Sequence, residues 1–84
     1  KEPQAIEHLQ AYPNPVKDQL MIHSSKELIE GVRIWSVTGQ LMQVSRLDGE
    51  ADLQLSLQDL APGYYTVELI STTNHVSRLK IIVE

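Results

Sequence analysis

The chain has 84 residues, 42% of them hydrophobic, and a net charge of −4 with seven basic residues scattered along it. This length allows one domain with a modest core, and the composition excludes a disordered tail. Dispersed positive charge argues against a nucleic-acid partner, because phosphate binding needs clustered Lys and Arg. The lack of cysteine excludes disulfides and thiolate metal sites, so packing alone must hold the domain together.

The chain opens with a segment of little pattern, residues 1–10, which predicts a linker from a preceding domain into a folded domain over residues 11–84. A stiff motif of four residues follows: Tyr12, Pro13, Asn14 and Pro15. Each proline fixes its own φ, biases the preceding residue away from the helical region and cannot donate to a strand ladder. We therefore place the motif at an edge or corner, with Tyr12 packed on the core and Asn14 hydrogen-bonded to nearby backbone.

Apolar and polar residues then alternate in five places, which is the period of a half-buried strand rather than of a helix. The alternating apolar residues are Leu20 and Ile22; Val32 and Ile34; Leu53, Leu55 and Leu57; Tyr65, Val67 and Leu69; and Leu79, Ile81 and Val83. Each run puts one face on a core and the other in water. Together they predict about seven short strands arranged as an antiparallel β-sandwich.

Turn signals separate the predicted strands. Thr38-Gly39 suits the end of the second run, and Asp48-Gly49 suits a tight hairpin, because both central residues of such a turn take positive φ. Pro62-Gly63 suits a type II turn, and Thr73-Asn74 predicts the turn before the last strand. In the segment Ser24–Glu30 a serine and a glutamate are spaced as in a capping box, and we expect a loop or a short turn of helix.

No constellation of residues supports catalysis or metal ligation. The three histidines fit no zinc motif: His8, His23 and His75. The alternating acids of residues 48–52 lack the glycine and the distal glutamate of an EF-hand, which favours a solvated hairpin tip over a calcium site. No serine stands in a nucleophile motif and no glycine-rich phosphate loop occurs. The sequence therefore predicts a protein that is not an enzyme and takes no cofactor.

The last predicted strand, residues 79–84, has two faces of different chemistry. Its inward residues continue the apolar alternation, whereas its outward residues are Lys80, Ile82 and Glu84. A partner can read a terminal edge strand by β-augmentation, in which backbone groups give affinity and alternate side chains give specificity. We expect recognition at this strand, with Ile82 as the apolar exception on its outward face.

Four other apolar residues also lie on the otherwise polar, outward side of their predicted strands or next to it. They are Trp35, Val37, Tyr64 and Ile70. If these strands are neighbours, the exceptions join Ile82 in an exposed apolar patch of the kind that marks interaction sites. The alternative is that a bulge, a loop or the second sheet covers them.

The motifs run through nearly the whole chain in a fixed order. They are Tyr12, Pro13, Asn14 and Pro15; Leu20 and Ile22; Val32 and Ile34; Thr38, Gly39 and Gln40; Leu57 and Leu60; Pro62, Gly63, Tyr64 and Tyr65; and Lys80, Ile81, Ile82 and Val83. In this order and at these distances they resemble the C-terminal sorting domain of the type IX (Por) secretion system of Bacteroidota. One departure is Glu84, where many members of that family end in Lys or Arg.

The resemblance implies an immunoglobulin-like, seven-stranded antiparallel β-sandwich without catalytic activity. It implies that the domain directs an attached N-terminal cargo protein across the outer membrane, for sortase processing and attachment to anionic lipopolysaccharide at the cell surface. The implied partners are the translocon, shuttle and sortase components of the secretion machinery. Recognition is expected at Lys80, Ile81, Ile82, Val83 and Glu84. An exposed terminal strand also allows a homodimer by strand exchange.

Two other interpretations stay open at this point. A fibronectin-like binding or adhesion module of a bacterial surface protein would expose aromatic side chains at a binding face. With one Trp, three Tyr and no Phe, the chain offers few of them. A structural spacer would be followed by a linker and a further domain. Whether Glu84 ends the parent protein discriminates between the spacer and the sorting domain.

Overall fold

The structure, a computed structural model, describes residues 4–84 and contains seven strands within them. They are β1 (Leu9–Tyr12), β2 (Gln19–Ser24), β3 (Ile29–Ser36), β4 (Leu41–Glu50), β5 (Asp52–Ser56), β6 (Gly63–Ser71) and β7 (Val76–Val83). The prediction of an all-β domain with about seven strands is confirmed. The described residues contain no helix that is long and apolar enough to cross a membrane.

The strands form a three-stranded sheet in the order β1–β2–β5 and a four-stranded sheet in the order β4–β3–β6–β7, both antiparallel. Apolar residues from both sheets build one continuous core, so the sheets face each other across it. The side chains with no exposure at all include Val16, Leu20, Ile29, Leu57, Val67 and Leu69. Since burial of one such side chain contributes roughly 1.5–3 kcal/mol, this core can hold the fold without disulfides.

The predicted alternation is present on the strands that the sequence singled out. Its buried members are Leu20, Ile22, Val32, Ile34, Leu53, Leu55, Leu57, Tyr65, Val67, Leu69, Ile81 and Val83. Leu79 is partly buried and packs at the margin of the core. The period of two is therefore a sound guide to which side of each strand faces inward.

The Asp48-Gly49 dipeptide does not form the predicted hairpin. Strand β4 runs through both residues, and β5 follows in the opposite sheet. The register of β4 against β3 shifts between Ile29 and Gly31, which marks a bulge, and Gly49 takes φ +102 there. The hairpin prediction is wrong because a left-handed glycine serves a bulge as well as a turn. The neighbouring acids are exposed along this crossing between sheets, not at a hairpin tip.

Two other predicted turns are confirmed. In the β3–β4 connection Gly39 has φ +87, and the Ser36 N–H donates to the Gln40 carbonyl at 2.8 Å. Between β6 and β7 Asn74 has φ +68, and its N–H donates to the Ser71 carbonyl at 3.0 Å. Residues 25–28 form a loop between β2 and β3, which is one of the two outcomes expected for that segment.

The Pro62-Gly63 pair does not form the predicted type II turn. The hydrogen-bonded turn lies earlier, where the Leu60 N–H donates to the Leu57 carbonyl at 3.1 Å. Both leucines are buried, and their burial fixes the turn at that point. Gly63 is the first residue of β6 and has φ +154, far from the value near +80 of a type II turn.

The packed part of the domain begins inside the predicted linker of residues 1–10. Ile6 belongs to the core with 6% exposure, and β1 already starts at Leu9. Lys1–Pro3 lie outside the described residues. The folded domain therefore extends N-terminal to the boundary that the sequence suggested at residue 11.

Candidate recognition site at the terminal strand

The two faces of β7 differ as the sequence indicates. Ile81 and Val83 are 2% and 3% exposed and belong to the core. Lys80, Ile82 and Glu84 are exposed. Of the five terminal residues expected to be read, two are therefore covered by the fold and three are accessible.

The end of the chain pairs with the proline-rich motif. The Val16 N–H donates to the Ile82 carbonyl at 2.7 Å, and the Glu84 N–H donates to the Val16 carbonyl at 2.8 Å. Val16 and Val83 are parallel bridge partners, and the Asn14 Oδ1 accepts from the Ile82 N–H at 3.0 Å. We call these five residues the terminal clasp. It joins two segments that are far apart in the sequence at one edge of the four-stranded sheet.

The structure corrects two expectations for the motif. Asn14 does not bond to nearby backbone, since its partner Ile82 lies 68 residues away. Tyr12 is 51% exposed and does not pack on the core, because Leu9 and Ala11 occupy the inward positions of β1. Prolines have no N–H to donate, so the motif pairs with the terminal strand through an amide oxygen and through the residue that follows it. The Tyr12–Pro13 and Asn14–Pro15 peptide bonds are cis.

The other end of β7 is covered by the start of the described chain. The Val76 N–H donates to the Gln4 carbonyl at 2.9 Å, and the Ile6 N–H donates to the Ser77 Oγ at 2.8 Å. Between these contacts and the clasp, the backbone groups of Arg78 and Lys80 point away from β6, as those of Ile82 do, because every second residue of a strand points its N–H and carbonyl to the same side. No described residue bonds to them from that side. The open edge of β7 is thus a short central stretch that carries two cations.

We call the side of the four-stranded sheet that faces away from the core the outer face. Three cross-strand rows on it, read from β4 to β7, are Arg46, Gly31, Ile70 and Val76; Val44, Arg33, Glu68 and Arg78; and Leu41, Trp35, Thr66 and Lys80; beyond them Tyr64 of β6 pairs with Ile82 of β7. Tyr64 is 65% exposed and Ile82 38%. No second sheet covers this face within residues 4–84.

The expected apolar patch is only partly brought together. Tyr64 and Ile82 are direct partners, and Trp35 lies nearby on the same side, with Val37 in the adjoining turn. Ile70 lies at the opposite end of the face, beyond the Glu68 row. Period-two counting identifies which side a residue faces but not how far along the sheet it lies, which depends on register.

A buried carboxylate that the sequence reasoning missed lies at the centre of the outer face. The Arg33 Nε is 3.0 Å from the Glu68 Oε1, and the Arg78 Nη2 is 2.9 Å from the Glu68 Oε2. The Glu68 side chain is 9% exposed, whereas those of Arg33 and Arg78 are 43% and 61% exposed. Both carboxylate oxygens are thus paired, which compensates for their desolvation. The sequence signal for this cluster is a charged residue at an outward position on each of three strands: Arg33 on β3, Glu68 on β6 and Arg78 on β7.

A second polar cluster ties the β2–β3 loop to the β6–β7 turn. The Thr73 hydroxyl donates to the Glu27 Oε1 at 2.6 Å, and the His75 Nδ1 is 2.8 Å from the Glu27 Oε2. The Thr73 hydrogen bond, followed by that of His75, lowers the pKa of Glu27 to about 2. The capping-box spacing drew attention to Glu27 but gave no hint of partners on another loop.

The remaining predicted motif residues support the fold rather than a binding surface. The Tyr65 ring is buried, and its hydroxyl donates to the Ala61 carbonyl at 2.6 Å. This bond fixes the segment around Pro62 and Gly63, just before β6. Gly39 forms the hairpin turn described above. Residues 4–84 contain no group of three or more His, Cys, Asp or Glu side chains placed to hold a metal ion.

A comparison with known protein families gives a match. A family model described as "Secretion system C-terminal sorting domain" matches residues 10–84. A search among curated proteins finds no match to the chain. The matched range covers nearly all of the chain and includes both halves of the terminal clasp.

Proposed function

Because the chain belongs to the C-terminal sorting domains of type IX secretion, we propose that it directs an attached N-terminal cargo protein across the outer membrane. A sorting domain of this family implies interaction with the type IX machinery and export to the cell surface or the extracellular space. The proposed finer steps are recognition by the shuttle and translocon, removal of the domain by the sortase, and attachment of the cargo to anionic lipopolysaccharide. The domain acts in this scheme as a signal without catalytic activity.

The terminal clasp is the observation that best supports this role. It fixes the end of the chain against the proline-rich motif, so both are presented together on one rigid edge. A receptor that reads the folded domain meets the accessible residues Lys80, Ile82 and Glu84. The covered residues Ile81 and Val83 then serve recognition indirectly, by keeping the strand in place.

The proposed domain boundary moves toward the N-terminus. Since Ile6 is buried and the Gln4 carbonyl bonds to β7, a cut within residues 4–10 would remove part of the fold. We therefore place the sortase cut on the N-terminal side of Gln4. A homodimer by strand exchange stays a prediction, and it requires the terminal clasp to open.

The strand arrangement supports the immunoglobulin-like classification as part of the proposal. Constant-type immunoglobulin domains divide seven strands into sheets of four and three, with the fourth strand beside the fifth. In this chain β4 lies beside β3 instead, which leaves the four-stranded sheet with β3, β4, β6 and β7. This chain thus differs from the constant-type arrangement in one edge strand, β4, which belongs to the other sheet.

The test is to fuse the chain behind a periplasmic reporter in a host that has the type IX system. Reporter activity should appear outside the cells, and it should stay in the periplasm when the machinery is deleted. A reporter that stays in the periplasm of the intact host refutes the function. A matched fusion with Ile81→Ser, which places a hydroxyl in the core, should fail through unfolding, as circular dichroism would show.

A further inference from the structure

Positive charge is concentrated on the outer face although the chain is acidic as a whole. Of the seven Lys and Arg residues in a chain of net charge −4, four stand in the outer rows: Arg33, Arg46, Arg78 and Lys80. The acid within those rows is Glu68, which is buried and already paired. Glu30 and Asp48 lie near Arg46 at one end of the face, so the excess of cations is at the other end, where Arg33, Arg78 and Lys80 surround the single carboxylate of Glu68.

These cations retain free donors. Arg78 contacts Glu68 through Nη2, which leaves the rest of its guanidinium fork toward solvent in a side chain that is 61% exposed. Lys80 is the next outward residue of β7 and forms no ion pair with any of residues 4–84. An incoming carboxylate can pair with both without displacing Glu68.

Apolar side chains border the same cations. Trp35 shares a row with Lys80, and Tyr64 and Ile82 form the next row along the sheet. Trp35 and Arg78 also line one shallow groove that runs from β3 across β6 to β7. Interfaces combine an apolar, aromatic centre with complementary charge around it, and this end of the outer face has both.

We propose that this end of the outer face docks an acidic segment of a partner protein. Its carboxylates pair with Arg78 and Lys80, and its apolar side chains lie over Trp35, Tyr64 and Ile82. The inference rests on the proposed function, since the partner is then a component of the secretion machinery. It adds what that component must present at its contact surface, namely negative charge interspersed with apolar groups.

A protein segment fits this face better than an anionic membrane surface does. The far end of the outer face is lined by Glu30 and Asp48 as well as Arg46, and Glu84 flanks the near end. A broad anionic surface would thus meet acidic residues along with the cations, whereas a narrow segment contacts only the cationic end.

The experiment uses the reporter fusion with Tyr64 replaced by the photo-crosslinker p-benzoylphenylalanine, in the intact secretion host. The same crosslinker at Tyr12 is the matched control, since Tyr12 is 51% exposed but lies on the other sheet. We expect a discrete protein adduct from position 64 and none of that mass from position 12. Lys80→Glu should lower the adduct yield and the secretion rate at least about tenfold, because it places like charges together. Lys80→Arg should preserve both.

Lys26→Glu is the charge control, because it reverses an exposed charge on the β2–β3 loop, where Lys26 forms only a solvent-exposed pair with Glu7 at 3.8 Å. It should leave the adduct and secretion unchanged, and all variants should keep the parent's thermal unfolding midpoint. An adduct that Lys80→Glu does not weaken, or an adduct to lipid only, overturns the inference while the sorting function stands. A parent fusion that is not secreted overturns both.

Discussion

The outward sides of the two sheets each carry one tyrosine paired with an aliphatic residue, yet their surroundings differ. On the three-stranded sheet Tyr12 faces Met21, and the neighbouring positions are polar, with a Gln54 to Gln19 hydrogen bond beside them. On the four-stranded sheet Tyr64 faces Ile82 amid Trp35, Lys80 and Arg78. An exposed aromatic residue alone therefore does not indicate a binding surface. What distinguishes the second face is the clustering of apolar residues with cations.

The largest expected effect comes from removing the apolar pair of the outer face. Tyr64→Ser with Ile82→Ser should reduce secretion of a fused reporter at least about tenfold, if the pair contributes a modest interface hot spot. The matched double variant Tyr12→Ser with Met21→Ser removes the equivalent pair of the other sheet and should change secretion less than about twofold. The measurement is the extracellular fraction of the reporter, with folding checked by circular dichroism.

Equal losses of secretion from the two double variants would show that the apolar pair of the outer face matters no more than the pair on the three-stranded sheet. Such a result would instead point to the proline-rich motif around Tyr12 as part of what the machinery reads.

The next effect compares the buried Glu68 ion pairs of the outer face with the exposed His23–Asp52 hydrogen bond of the three-stranded sheet. Glu68→Gln should lower the free energy of unfolding by about 1–2 kcal/mol, because two arginines lose a desolvated carboxylate while remaining partly exposed themselves. His23→Gln removes the imidazole that is hydrogen-bonded to Asp52 on the three-stranded sheet, where the two side chains are 40% and 79% exposed, and should cost less than about 0.5 kcal/mol. Urea unfolding measures both. A larger cost for His23→Gln would contradict the difference in burial.

A smaller effect is expected at the terminal clasp. Asn14→Ala removes the acceptor of the Ile82 N–H, and should cost about 1 kcal/mol, the usual net value of one hydrogen bond. Amide hydrogen exchange at Ile82 should accelerate, while exchange at Val67 in the centre of the sheet should follow only global unfolding. Unchanged exchange at Ile82 would mean that Asn14 does not hold the strand.

The last effect depends on pH and appears on acidification. The pKa of Glu27 is lowered from 4.5 to about 2 in the folded protein, so its carboxylate form favours folding. The stability that it contributes is present above pH 4.5 and is lost progressively as the pH falls toward 2. Glu27→Gln should be less stable than the parent at neutral pH, and the difference should shrink over this range. A constant difference between the two unfolding curves would refute the assignment.

The sequence predicts more of the strands than of their connections. The alternation of apolar and polar residues predicts which side of each strand is buried, because burial depends on the direction in which each side chain points. Asp48-Gly49 was misassigned because a glycine with positive φ suits a β-bulge as well as a hairpin turn. The partners of Asn14 and Glu68 were beyond local reasoning, since each lies on another strand whose register no local pattern encodes. The accessible residues Lys80 and Ile82 were found because one face of a strand can be read directly from its sequence.

The terminal clasp also bears on the order of folding. Asn14 and Ile82 are 68 residues apart, and five strands, β2 to β6, lie between them. Closing a contact over so long a stretch of chain costs more entropy than closing a hairpin does, so we expect the clasp to form after the two sheets have brought its halves together. A receptor that binds the closed clasp would therefore discriminate folded domains from those still folding.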